Sequence, residues 1–124
     1  MLCLPFYVNT DCNKRVWVGN YTIANYKDLI ALSSYKAVTG KLIIISDNLK
    51  TLNGLRYLSC VGEDLEIVDN AALTDLNGLN NVQLDGDYLT ITNNLELLTS
   101  DAEALDTQLR SNGFRGTTEI TGNN

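Results

Sequence analysis

Histidine is absent from the 124-residue chain. Its absence removes the commonest general base at neutral pH and the commonest side-chain metal ligand. It also denies Cys60 a partner for Cys–His nucleophilic catalysis. Missing too are a Gly-x-Ser-x-Gly elbow, a P-loop, a dinucleotide-binding fingerprint and the Gly-Gly-x-Gly-x-Asp repeat of calcium-binding β-helices. No apolar run approaches the length of a bilayer-spanning helix, so membrane insertion is not expected. Met1 to Val8 is too short for a signal peptide and has no basic start. The chain is therefore expected to be a mature or trimmed form whose signal lies upstream of residue 1. No basic stripe interleaved with aromatics occurs, which argues against nucleic-acid binding.

What is present is strongly polarised. Residues 1–60 carry seven Lys and Arg against three Asp, a net of +4, whereas residues 61–124 carry two Arg against twelve carboxylates, a net of −10. Such asymmetry bears on solubility and association rather than on fold. The length suits one domain, 1–124, with a core of its own.

That domain is organised by a repeat over residues 38–98. Gly40-Lys-Leu-Ile-Ile-Ile-Ser-Asp-Asn48 is followed by Leu52-Asn-Gly-Leu55. Gly62-Glu-Asp-Leu-Glu-Ile-Val-Asp-Asn70 is followed by Leu76-Asn-Gly-Leu79, and Gly86-Asp-Tyr-Leu-Thr-Ile-Thr-Asn-Asn94 by Leu95-Glu-Leu-Leu98. Self-similarity at a period of 22 to 24 residues marks a solenoid. Alternation sends successive side chains to opposite faces, with Val38, Leu42 and Ile44, then Val61, Leu65 and Ile67, then Leu89 and Ile91 inward. In the first copy Ile43 and Ile45 are the alternative pair, and Leu42/Ile44 is preferred because it keeps the Val-x-x-x-Leu-x-Ile order. Asn48, Asn70 and Asn94 are expected to stack as a corner ladder, since Asn tolerates left-handed backbone and bonds turn amides. Ala71-Ala72 then has no counterpart, which predicts a bulge on the second copy.

Flanking the repeats are two atypical ends. Residues 1–37 form an N-terminal cap: irregular to residue 20, with Trp17 as a lid on the core, then a short strand with Tyr21 and Ile23 on one face. A helix over about 26–34 follows, with Asn25 as N-cap, Asp28 in the place of a capping-box acid and Tyr26, Leu29, Ile30 and Ser33 as its stripe. Residues 99–124 give a helix with Ser100 as N-cap, Ala102, Leu105 and Leu109 inward and Gly113 past its end, then a closing strand from Gly116. Cys3 and Cys12 are the disulfide candidate, stapling the N-terminal end and implying an oxidising compartment; pairing of Cys12 with Cys60 is the alternative. Cys60, between Leu58 and Val61, otherwise reads as a small buried hydrophobe.

Val-x-Gly-x-Leu-x-Ile, Leu-x-Gly-Leu, Val-Gly-x-Asp-Leu-x-Ile and the Asn-ending corners resemble the receptor L domain. That leucine-rich module of insulin- and EGF-receptor ectodomains is also found in repeat-rich bacterial and protist surface proteins. The resemblance covers roughly residues 19–124 and is closer to the surface-protein branch, because the cysteine-rich modules flanking receptor L domains are absent. It implies, with the repeat, a mainly β solenoid: a short right-handed β-helix of leucine-rich-repeat type with about five rungs and a helix near each end.

Two surfaces are candidates for function. Glu63, Asp64, Glu66, Asp69, Asp85 and Asp87 crowd neighbouring copies, and paired carboxylates on adjacent rungs can serve a carbohydrate-active enzyme. A solvated acidic face explains them more simply; no metal site is assigned, and weak Ca²⁺ binding, if any, belongs to Asp64 and Asp87. The other surface is the outward sheet face: Lys41, Ile43, Glu66, Val68, Tyr88, Thr90 and Thr92, a mixture of apolar and polar side chains suited to contact. The expectation is a non-catalytic, cofactor-free recognition or adhesion module, extracellular or at the cell surface, binding a protein or glycan there. A β-helix enzyme using the acidic cluster and a structural spacer are the alternatives. Asn20-Tyr-Thr22 is a glycosylation sequon with little weight of its own.

Overall fold

The computed structural model describes residues 15–124. They form, in chain order, β1 (Arg15–Trp17), β2 (Tyr21–Ile23), α1 (Tyr26–Leu32), β3 (Tyr35–Val38), β4 (Leu42–Ile44), β5 (Cys60–Val61), β6 (Leu65–Val68), β7 (Gln83–Leu84), β8 (Tyr88–Thr92), α2 (Thr99–Ser111) and β9 (Thr117–Thr121). Up to β8, odd and even strands separate. β1-β3-β5-β7 make a four-stranded sheet and β2-β4-β6-β8-β9 a five-stranded one, every pair parallel. Neighbours in each sheet are thus equivalent segments of successive repeats. Leu42 pairs with Leu65 and Leu65 with Leu89, and Ile44, Ile67 and Ile91 follow suit.

This architecture corrects the expected fold class. The chain is not a mainly β solenoid of about five rungs: two separate parallel sheets of four and five strands combine with two helices in an α/β-like arrangement. No closed or solenoid sheet is seen among the described residues. The reason is local. Leu-Asn-Gly-Leu closes its side of the repeat with 3₁₀ turns at Asn53–Leu55 and Asn77–Leu79 rather than with strands. Residues that could have added a fifth strand to the first sheet fold instead as α2, so β9 joins only the second.

Between the layers lies one leucine-rich core. All eight residues assigned inward, Val38, Leu42, Ile44, Val61, Leu65, Ile67, Leu89 and Ile91, have no exposed surface. Burying a side chain of this size contributes roughly 1.5–3 kcal/mol. Gly86 and Gly116 allow the copies to approach, because a Cβ at either would collide with the main chain of the preceding copy, at Glu63 and Asp87. Trp17 packs on the core's near end, edge-on to Tyr21 and Tyr35.

A corner ladder exists, in a shifted register. Asn70 Oδ1 accepts from the Ser46 N–H, Asn94 Oδ1 from the Asn70 N–H and Nδ2, and Asn123 Oδ1 from the Asn94 N–H and Nδ2. Ser46, not Asn48, therefore opens the ladder. Asp47-Asn48 become the counterparts of Ala71-Ala72, so the bulge expected at those alanines is displaced. The extra residue is Asp69, at φ 54°, with Asn93 at 59° and Gly122 at 71° in the equivalent places. A β-branched residue adopts that conformation only with strain, and Ile45, just ahead of Ser46, has no such neighbour.

The helices are placed by their caps. Asn25 Oδ1 accepts from the Asp28 N–H, and Asp28 Oδ2 returns a bond to the Ala24 N–H. α1 buries Leu29 and Leu32. The expected stripe is corrected in this respect, since Tyr26 and Ile30 are exposed. Ahead of α2 stands Leu98 rather than Ser100, without a side-chain cap. The helix ends in a Schellman motif: Gly113, at φ 109°, donates to the Arg110 carbonyl and Phe114 to that of Leu109.

Cysteine placement also departs from expectation. The proposed Cys3–Cys12 staple lies outside the described residues. Cys60 is disulfide-bonded, not a buried free thiol, and the only other cysteines of the chain are Cys3 and Cys12. It also faces away from the main core: Val61 turns inward, while Cys60 joins Ala37 and Val16 in a small cluster on the sheet's other side.

Candidate recognition surface

Strand register sets the outward face of the five-stranded sheet in rows. Ile43, Glu66 and Thr90 lie side by side, as do Val68 and Thr92. Tyr88 stands beside Thr117. Lys41, just ahead of β4, reaches diagonally so that its Nζ lies 3.8 Å from Glu66 Oε2. All seven residues expected on this face are brought together on it. Tyr88 is the most open at 56 % exposure, while the other six are half-buried.

Thr22, Thr117, Glu119 and Thr121 extend the same rows at the two margins and were missed. The signal for the last three was present: Gly116 to Asn124 repeats the eight-residue spacing and could have been aligned under Gly86 to Asn94. Stacking in chain order also turns the charge asymmetry of the sequence into a gradient across the sheets. Described residues 15–60 carry six Lys and Arg against two Asp, and the acidic residues 61–124 occupy the far half.

The acidic residues do not converge. Asp64 Oδ1 accepts from the main-chain N–H groups of Asp87 and Tyr88, at 3.0 and 3.1 Å, so its carboxylate closes a turn. Asp85 Oδ1 accepts from Gln83 Nε2, and its Oδ2 lies 4.0 Å from the Cys60 sulfur. A disulfide sulfur carries no proton, so the latter is a contact rather than a hydrogen bond. Among the described residues no three His, Cys, Asp or Glu side chains are grouped to hold a metal ion. Nor is any helix there long and apolar enough to cross a membrane.

Concavities are open and small. One of about 230 Å³ lies between the second 3₁₀ turn and α2, lined by Asp75, Asn77, Asp101, Leu105 and Gln108. Another of about 290 Å³ is bounded by Asp69, Ala71, Asn93 and Leu95 at the ladder corner. Neither gathers an acid, a base and a nucleophile. The arrangement offers a broad, mixed-polarity sheet face rather than a cleft.

The chain matches no protein-family model, no curated protein and no solved structure.

Proposed function

We propose that this chain is a non-catalytic recognition module whose outward five-stranded sheet face binds a protein or glycan at the cell surface. The observation that carries the reading is the row arrangement of Ile43, Glu66 and Thr90 beside Val68, Thr92, Lys41 and the open Tyr88 ring. Main-chain pairing fixes the backbone of Ile43, Glu66, Val68, Tyr88, Thr90 and Thr92, so little backbone ordering entropy remains to be lost on binding. Tyrosine and aliphatic groups among hydroxyls and a Lys–Glu pair are the composition of contact surfaces. A disulfide at Cys60 supports an oxidising, extracellular setting, as does the likeness of the repeats to receptor L domains.

The test is capture from intact native cells, comparing the chain with a Glu66→Ala/Tyr88→Ala variant of unchanged circular dichroism. Specific capture lost in the variant supports the reading and places the site on this face. Capture unaffected by the variant removes the site from this face, and no capture of protein or glycan by either form overturns the reading.

A further inference from the structure

We infer that the outer edge of β9 is an addition site for one more parallel strand, supplied by a partner polypeptide that carries Lys or Arg opposite Glu119 and Asn or Asp opposite Asn123. This inference is independent of the sheet-face reading. β9 is the last strand of the five-stranded sheet. Thr117 donates its N–H to the Asp87 carbonyl and the Thr121 carbonyl accepts from Asn93. Residues 117, 119 and 121 thus turn their main chain toward β8. Of the outward-pointing groups, the Gly116 carbonyl accepts from Arg110 Nη2 of α2, while those of Thr118 and Ile120 face a side where no described strand stands. Unpaired edges of this kind template strand addition. The four-stranded sheet ends differently, on the two-residue strand Gln83–Leu84. There α2 covers the last repeat, with Gln108 Nε2 donating to the Leu79 and Asn80 carbonyls and Asn112 Nδ2 to that of Val82.

The corner ladder specifies what the added strand must bring. Asn70 and Asn94 each donate their main-chain N–H and Nδ2 to the Oδ1 of the next ladder residue. Asn123 donates Nδ2 to the Ile91 carbonyl, and its main-chain N–H and second amide hydrogen find no acceptor among the described residues. Asn123, four residues beyond Glu119, thus presents at the β9 edge the same two donors that Asn70 and Asn94 give to the Oδ1 of the next ladder residue. Charge decides the rest. Glu119 is exposed on the edge row, and the same sheet already answers Glu66 with Lys41. Centred antiparallel pairing with a second copy would set Glu119 against Glu119, which like-charge repulsion opposes. The occupant is a different segment, basic where this one is acidic.

The probe is a synthetic peptide of residues 116–124 carrying Glu119→Lys, titrated into the ¹⁵N-labelled chain. Peptides of native sequence, and with Asn123→Ala added to the lysine form, serve for comparison. Expected are amide shifts in Thr118 to Asn123 and about fivefold tighter binding of the lysine peptide than of either other peptide. The protein variant Glu119→Lys, checked for folding by its amide spectrum, reverses the preference. Absence of shifts along β9 at millimolar peptide overturns the proposal. So does a preference that Glu119→Lys leaves unchanged.

Discussion

The two sheets are built from alternate strands of the same repeats, yet one is closed and the other open. In the four-stranded sheet, strands of two to four residues are covered on both sides at their centre, by Val38 and Val61 within and by Ala37 and Cys60 without. Amides from α2 donate to the Leu79 and Val82 carbonyls, just ahead of its last strand. In the five-stranded sheet, strands of three to five residues bury one face and leave the other to solvent. A covalent bond at Cys60 and helix side chains secure the first; a buried amide ladder secures the second. The difference separates the two surfaces: Ala37 and Cys60 are buried at the centre of the first sheet's outer face, whereas the second sheet keeps an open face, where the proposed recognition site lies.

If that division is right, the open sheet breaks most severely at its ladder. Asn94 is fully buried and serves the Asn70 N–H, the Ile67 carbonyl and Asn123. Asn94→Ala leaves two buried groups unpaired, at roughly 1–3 kcal/mol each, so a loss of about 4 kcal/mol is expected in urea denaturation. A loss below about 1 kcal/mol would show that the corner contributes little more than an ordinary exposed turn. Ser46→Ala, which removes only a hydroxyl accepting from Asn48 and Leu49, should cost about 1 kcal/mol.

The closed sheet breaks next, at its cross-link. Cys60→Ala should lower stability by about 3 kcal/mol. A reductant should destabilise the unaltered chain by a similar amount and leave Cys60→Ala unaffected. Equal sensitivity of both to reductant would mean that the bond does not hold this sheet. On the open sheet's outward face the expectation inverts. Tyr88→Ala should change stability by less than about 0.5 kcal/mol while abolishing partner capture, because the ring is more exposed than buried.

What could be read from the chain divides along similar lines. Alternating Leu and Ile announced the inward rows Leu65/Ile67 and Leu89/Ile91, and in the first copy, where Ile43/Ile45 also fit the period, alignment with the other two singled out Leu42/Ile44. The outward residues followed as their complement. Corners were harder. Counting Asn from Gly placed Asn48 in the ladder, but Ser46 takes that place because the first copy lacks the left-handed residue that Asp69, Asn93 and Gly122 supply. In the third copy Leu95-Glu-Leu-Leu98 looked like Leu-Asn-Gly-Leu. Ladder register instead sets Leu95 beside Ala71, at 63 % exposure, and Leu97 with Leu73 in the core. Fold class was misjudged because the repeat period constrains which strands pair but not what fills the intervening sides, where 3₁₀ turns and helices form. Nothing local to Cys60 distinguishes a cross-linked sulfur from a packed thiol.

A smaller effect probes where the two sheets meet. Tyr21, at the start of β2, stacks edge-on against Trp17 of β1, its ring centroid 5.0 Å away, and Trp17 in turn meets Tyr35 of β3. The Tyr21 hydroxyl donates to the Asp28 carbonyl at 2.6 Å. Burial, then the negative charge of Asp28, then Tyr35 raise its pKa above the ordinary 10.0. The folded state therefore holds this proton more tightly than the unfolded chain. Stability from that source is fully present below pH 10 and is lost as pH rises from 10 through the folded-state value. Tyr21→Phe should cost about 1 kcal/mol at neutral pH through the lost hydrogen bond, while flattening the alkaline decline. Urea titrations at pH 7 and above pH 10 decide the matter. An alkaline decline as steep in Tyr21→Phe as in the unaltered chain would place the responsible group elsewhere and leave the aromatic bridge without an electrostatic role.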